Sequence, residues 1–363
     1  MSQPLFMYVK IRVVCCQRGL LRKHLRNLGT NTKIRILNSK ALITLLMLCM
    51  PYSFFCQALI PTPESAFEPQ LPFNTEYIKS QKVRSISFDI IDKKDFQIAE
   101  DKGLLNYYEF NSQGLLARYY YTSIVKIIEK EYRHDAVYHK RRKVSNAYTY
   151  TKNEYVYDTV STTYFYDNLD LLKLKRYNDG AYYESKYYTY SPTNKIITEK
   201  RCKETNAADN KSEFKLGTQT IMSEESFEYA VTGKHQYKKI CKNDEGRVYK
   251  EIICNYNDDR QLLSLNEQYT ATWITQTSDF VYNAKGQLIS ATYKSNSNGE
   301  LEQRRTYEYD AKDCLLTEKQ FKNGTLLKEI SYITDGSKNL NSYVIRDPNG
   351  KSMRIVKLAY RYY

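Results

Sequence analysis

Apolar and polar residues alternate along most of this chain, and turn residues interrupt the alternation at regular intervals. Arg305, Tyr307 and Tyr309 fall on one side of such a run, and Arg304, Thr306 and Glu308 on the other. A period of two marks a half-buried strand. Residues 277–283 read as one strand, with Phe280 and Tyr282 on one face, and residues 287–295 as its return, with Leu288 on one face. Asn283 to Gly286 makes the tight turn between them, where Gly supplies a positive φ. Asn298-Gly299 makes a second turn before the next strand.

The phrase repeats. An aromatic pair flanks one residue, Asn or Asp follows, a turn residue comes four after the second aromatic, and Leu or Ile comes six after. Phe280/Tyr282/Asn283/Gly286/Leu288 is the clearest copy; others centre on Phe110, Tyr166, Tyr190, Tyr256 and Tyr309, with weaker ones at Tyr229 and Tyr332. Tyr256, Tyr282 and Tyr309 are spaced 26 and 27 residues apart. About 26 residues hold two strands and two turns. The wider interval from Tyr190 to Tyr229 places an insertion near residues 203–218. The expected fold is all-β: an antiparallel meander of repeated hairpins forming one long curved sheet, partly rolled on itself. It occupies residues 77–363 as a single domain, with clear repeats from about residue 105. No amphipathic helix is expected to cover the sheet.

Composition sharpens this. The 36 Tyr residues suit half-wet strand faces. The net charge of +14 is misleading, because residues 1–58 hold nine Lys and Arg and no acid, leaving a net of +5 elsewhere. The case for nucleic acid goes with that leader. A basic stretch to Lys40, an apolar run over 41–50, the break at Pro51 and the small residue Ala58 follow the order of a signal peptide. The run is too short for a membrane span, which takes about 20 residues. Residues 59–76, with Pro61, Pro63, Pro69 and Pro72, read as a Pro-rich linker. The mature chain is expected to be exported to the periplasm, cell surface or exterior, with no membrane span. An outer-membrane barrel is disfavoured because Lys and Gln break the apolar face and mean hydropathy is −0.64.

The unit resembles the bacterial YD-repeat (Rhs-type) family, through Tyr164-Phe165-Tyr166-Asp167, Tyr307-Glu308-Tyr309-Asp310 and the copy at 280–288. The resemblance covers roughly residues 105–363. Asp170, Asn194, Arg260 and Asp313 stand where the phrase has Gly. It implies secreted or surface β-repeat arrays that serve as shells, stalks or carbohydrate-binding surfaces.

Chemistry is sparse. Cys202, Cys241, Cys254 and Cys314 lack metal-ligand spacing and read as scattered thiols. His134 and His139 sit in a Lys/Arg-rich run unfavourable to a cation, and Asp258-Asp259 reads as a turn. The basic residues 140–143 suit phosphates or acidic glycans, or simply a solvated loop. No catalytic residue, metal or cofactor is expected. The expected function is a secreted or cell-surface non-catalytic structural or adhesive module. The alternative is a carbohydrate-binding array using Tyr166, Tyr190, Tyr256, Tyr282 and Tyr309. Expected partners are cell-surface polysaccharide or other envelope proteins, and no nucleic acid.

Overall fold

The computed structural model describes residues 57–363, apart from 136–137, 141, 144, 146, 181, 210–212, 298 and 337–338. Nearly all of the expected leader and signal peptide thus lies outside the described residues. A short helix, α1 (Thr75–Ser80), comes first. The strands β1 (Val83–Lys94), β2 (Glu100–Phe110) and β3 (Leu116–His134) follow. A small hairpin, β4 (Tyr138–His139) with β5 (Arg142–Lys143), stands between β3 and β6 (Tyr148–Tyr166). Next come β7 (Leu172–Asn178), β8 (Tyr183–Tyr190), β9 (Ile196–Asn206), β10 (Leu216–Gly233), β11 (Gln236–Lys242) and β12 (Val248–Tyr256). The chain ends with β13 (Leu262–Tyr269), β14 (Thr275–Tyr282), β15 (Leu288–Ser295), β16 (Leu301–Tyr309), β17 (Leu315–Lys322), β18 (Thr325–Thr334), β19 (Leu340–Arg346) and β20 (Ser352–Tyr362).

Each long strand pairs antiparallel with the next, and β3 pairs directly with β6. The last strand then returns to the first. β20 lies against β1 with Ile86↔Tyr360, Phe88↔Leu358 and Ile90↔Val356 in register. The 18-stranded sheet is therefore a closed barrel. The meander of hairpins is as the alternation implies, but the open, partly rolled sheet is corrected to a ring. Closure gives both terminal strands a partner and abolishes the two edges an open sheet would expose.

The repeated phrase builds one rim. At Asn283–Gly286 the Asn283 Oδ1 accepts the N–H groups of Lys285 (2.9 Å) and Gln287 (3.0 Å), and Gly286 has φ +80°. Asp170, Asn194, Arg260 and Asp313 adopt φ of 61–66° at the equivalent places, so the position demands a left-handed backbone rather than Gly itself. One residue past the turn, a bulge lets Leu288 oppose Tyr282.

Residues 57–82 fill the barrel at this turn rim. The Leu71 N–H donates to Tyr108 Oη on β2 (3.2 Å), and the Leu315 N–H on β17 donates to Gln57 Oε1 (2.9 Å). Gln70 Nε2 donates to Tyr164 Oη on β6 (3.1 Å). Phe73 packs edge-on to Tyr108 and Phe110, and Phe67 against Tyr293 on β15. In α1, capped by the Asn74 side chain, Tyr77 and Ile78 are buried. The backbone passes so close to the β2–β3 turn that a Cβ on Gly114 would lie 2.4 Å from the Thr75 carbonyl oxygen. The stretch expected as a Pro-rich linker thus contributes Leu59, Ala66 and Phe73 to the packed interior.

Candidate functional site

The interior has a rim belt, an aromatic core and a charged layer. The belt explains the second tyrosine of the phrase. β15 pairs with β16 only from Ser290 onward, which leaves the Leu288 carbonyl beyond the ladder. Tyr309 Oη donates to it at 2.8 Å. The same link joins Tyr166 to Leu116 (2.9 Å), Tyr190 to Leu172 (2.7 Å), Tyr229 to Ile196 (2.9 Å), Tyr282 to Leu262 (2.9 Å) and Tyr360 to Leu340 (2.8 Å). A half-buried carbonyl needs a partner, and each hydroxyl latches one hairpin to the one before. Burial pushes Tyr190 up to about 12 and raises Tyr282, Tyr309 and Tyr256 further. Behind the belt, Phe88, Tyr108, Phe280, Tyr307, Tyr332 and Val356 form the core with the N-terminal segment.

The inner face also carries ions. Lys250 Nζ meets Glu267 at 3.0 Å with both side chains buried, and Lys186 meets Glu199 at 2.9 Å. Glu318 accepts Arg305 Nη1 at 3.2 Å and Tyr332 Oη at 2.8 Å. Arg354 grips Asp92 with Nε and Nη2 at 2.7 and 3.0 Å, and those bonds hold the Asp92 carboxyl below its usual range. Glu199 and Glu225 stand directly opposite across β9 and β10. Glu199 is only 8% exposed, and Tyr249 Oη donates to Glu225 at 2.6 Å. Two facing carboxylates suit acid/base work only where a substrate can reach them; Glu199 is buried and Glu225 half-buried.

The outer wall is different. Lys238–Glu251 (2.7 Å), Lys319–Glu308 (3.2 Å), Lys294–Glu302 (3.6 Å) and Lys242–Glu228 bridge neighbouring strands on the solvent side. A shallow cleft of about 730 Å³ opens beside Lys294, Thr275 and Asn323. Under the β9–β10 insertion, the wholly buried Glu204 accepts Ser185 Oγ (2.5 Å), Arg176 Nε (3.0 Å), Gln219 Nε2 (2.8 Å) and Tyr187 Oη, with the Arg176 guanidinium 3.7 Å from the Phe214 ring centre.

At the opposite rim β3 and β6 run on together as a two-stranded ribbon, paired from Lys126↔Val156 to His134↔Tyr148. A bulge at Val125 keeps Lys126, Ile128, Lys130, Tyr132 and His134 on the side continuous with the barrel interior. Tyr132 stacks on Tyr150 (5.6 Å), His134 lies 5.0 Å from Tyr148, and Tyr148 and Tyr150 are exposed.

Of the five candidate sugar-contact tyrosines, Tyr166, Tyr190, Tyr282 and Tyr309 have hydroxyls engaged in the belt, and Tyr256 packs edge-on to Tyr237. The structure spaces them around one rim instead of gathering them on an open face. Cys202, Cys241, Cys254 and Cys314 are not joined to one another by disulfides; Cys241 faces inward beside Phe227, while Cys202 faces outward beside Ser185. Asp258 meets Lys234 (3.2 Å) and His235 (3.0 Å) at the surface. The side chains of His139, Arg141, Arg142 and Lys143 lie outside the described residues. No cluster of three His, Cys, Asp or Glu that could hold a metal occurs among the described residues, and no helix there is long and apolar enough to cross a membrane. Sequence reasoning missed the ribbon, whose signal was the pair of Tyr-rich alternating runs on either side of the basic segment.

A family model described only as "Uncharacterised protein" matches residues 216–355, β10 into β20. No curated protein matches the chain. Among solved structures, a porin-like protein from Bacteroides uniformis is similar at 13% identity, covering 77% of this chain and 98% of that one, with a TM-score of 0.32. A porin-like protein from Bacteroides vulgatus gives 7% identity, 75% and 97% coverage, and a TM-score of 0.30. A TcdB2-TccC3-Cdc42 structure gives 12% identity over 69% of this chain and 15% of that chain, with a TM-score of 0.23. Scores this low do not establish a shared fold. The resemblance to the YD-repeat family is not upheld: the matching family model is an uncharacterised one, and the sheet closes on itself instead of extending as an array. The phrase encodes a turn, a bulge and a hydroxyl latch, devices that serve any antiparallel meander.

Proposed function

We propose that this chain is an exported, non-catalytic structural barrel of the bacterial cell envelope that stands in water. The observation that carries this reading is the orientation of its two faces. The aromatic residues of the repeated phrase point inward, and Lys–Glu pairs bridge the strands outside. A lipid-embedded barrel needs an outward apolar band, and Lys or Arg on that face costs about 2–4 kcal/mol at the bilayer midplane. On the outer wall, exposed apolar residues such as Leu263, Val281 and Leu316 lie near the turn rim, and Lys–Glu pairs occupy the wall beyond them. The N-terminal segment blocks the same end from within, so the barrel is built as a solid support and not as a pore.

Expression with its leader in a bacterial host, followed by fractionation and planar-bilayer recording, tests the proposal. The protein should leave the envelope fraction without detergent and give no conductance steps. Extraction that requires detergent, together with discrete conductance, would contradict it.

A further inference from the structure

We propose that the inner face of the β3–β6 ribbon binds an anionic polysaccharide of the uronate type. The ribbon separates its charges by face. The side continuous with the barrel interior carries Lys126, Lys130 and Lys152 against one acid, Glu154, while Glu129 and Glu131 point the other way. Glu154 is spent internally, accepting Lys130 Nζ at 2.6 Å and Tyr132 Oη at 2.6 Å. Lys126 and Lys152, both exposed, remain as cations on this face.

The same face holds four rings. Tyr132 and Tyr150 are stacked within 20° of parallel, Tyr148 lies 5.9 Å from Tyr150, and His134 adjoins Tyr148. Tyr148 and Tyr150 are 56% and 45% exposed. Unlike the belt tyrosines, they are not tied to neighbouring hairpins. A platform of amphipathic rings offers apolar faces to sugar rings and hydroxyls to sugar hydroxyls. The flanking lysines supply the charge that a carboxylated sugar complements.

Two other polyanions fit less well. The rings already touch one another, without the separate aromatic steps on which successive bases stack, and among the described residues two free lysines give a thin groove for a nucleic-acid backbone. A lipid surface calls for a continuous apolar face, and the described part of this face alternates Lys126, Lys130 and Lys152 with its rings.

The test is affinity electrophoresis of the full mature protein in gels containing polygalacturonate or neutral dextran. The protein should be retarded by polygalacturonate and not by dextran. The Tyr148→Ala/Tyr150→Ala variant should bind at least about tenfold more weakly, as expected for the loss of stacked ring contacts. Lys126→Glu/Lys152→Glu should abolish retardation and leave the far-UV spectrum unchanged, because all four positions are exposed. The proposal is overturned if wild type is not retarded, if both variants bind as wild type does, or if oligo(dT) or phosphatidylserine vesicles are bound more tightly than the polysaccharide.

Discussion

A chain lacking residues 57–82 is expected to lose its cooperative fold. The deletion removes the buried Leu59, Ala66, Tyr77 and Ile78 and the half-buried Phe67, Leu71 and Phe73. It also uncovers Tyr108, Phe110 and Tyr164 on the wall. Each large apolar side chain buried is worth about 1.5–3 kcal/mol, so the sum rivals the roughly 5–15 kcal/mol that holds a domain folded. The truncated chain should keep strand-rich far-UV dichroism, lose near-UV signal and bind hydrophobic dye. Phe73→Ala alone should cost about 2 kcal/mol in urea titration, less than a fully buried Phe because Phe73 is half-buried. A truncated chain that still melted cooperatively at the full-length temperature would return the segment to the status of a linker.

Glu318→Ala is expected to be the most damaging single change to the charged layer. Glu318 is 5% exposed and receives Arg305, Tyr332 and Gln320. Truncating it removes the only carboxylate partner that Arg305 has among the described ion pairs, leaving the guanidinium with the Glu68 carbonyl oxygen at 3.4 Å and Tyr307. Removing one side of a buried pair costs about 3–5 kcal/mol. Glu318→Gln preserves shape and a carbonyl acceptor and should cost clearly less. Equal losses for both variants, or a negligible loss for Ala, would show that the site tolerates the bare cation.

Much of the hairpin architecture was legible in the sequence because its causes are local. Alternation gives the strand, and Asn283 and Gly286 give the turn; the bulge that sets Leu288 opposite Tyr282 shows only in the strand pairing. Closure was not legible. The contact that makes it, β1 on β20, joins residues near 86 to residues near 360, and alternation is the same in an open sheet and a ring. The interior role of residues 57–82 was hidden for a similar reason: four prolines give a stretch the composition of a linker, while its burial depends on a cavity that closure creates. The tyrosines were read as a face available to sugars because their carbonyl partners lie a full hairpin away, as Leu262 does from Tyr282. Arg305 was placed on the aromatic side by alternation alone, but its carboxylate, Glu318, could be found only from the pairing of Tyr307 with Glu318 across β16 and β17.

Closure of the ring is the claim on which the plug, the belt and the solvated wall all rest. Ser87 on β1 and Ala359 on β20 are register partners on the outer wall. Neighbouring residues in such a pair have Cβ atoms about 4.5–5.5 Å apart, close enough for a disulfide after slight adjustment. Ser87→Cys/Ala359→Cys should oxidise readily in the folded protein, and mass spectrometry should recover a peptide crosslinked between positions 87 and 359. Ser87→Cys/Thr306→Cys, with Thr306 on β16, should give no such link. Equal crosslinking in the two variants, or none in the first, would contradict a closed barrel.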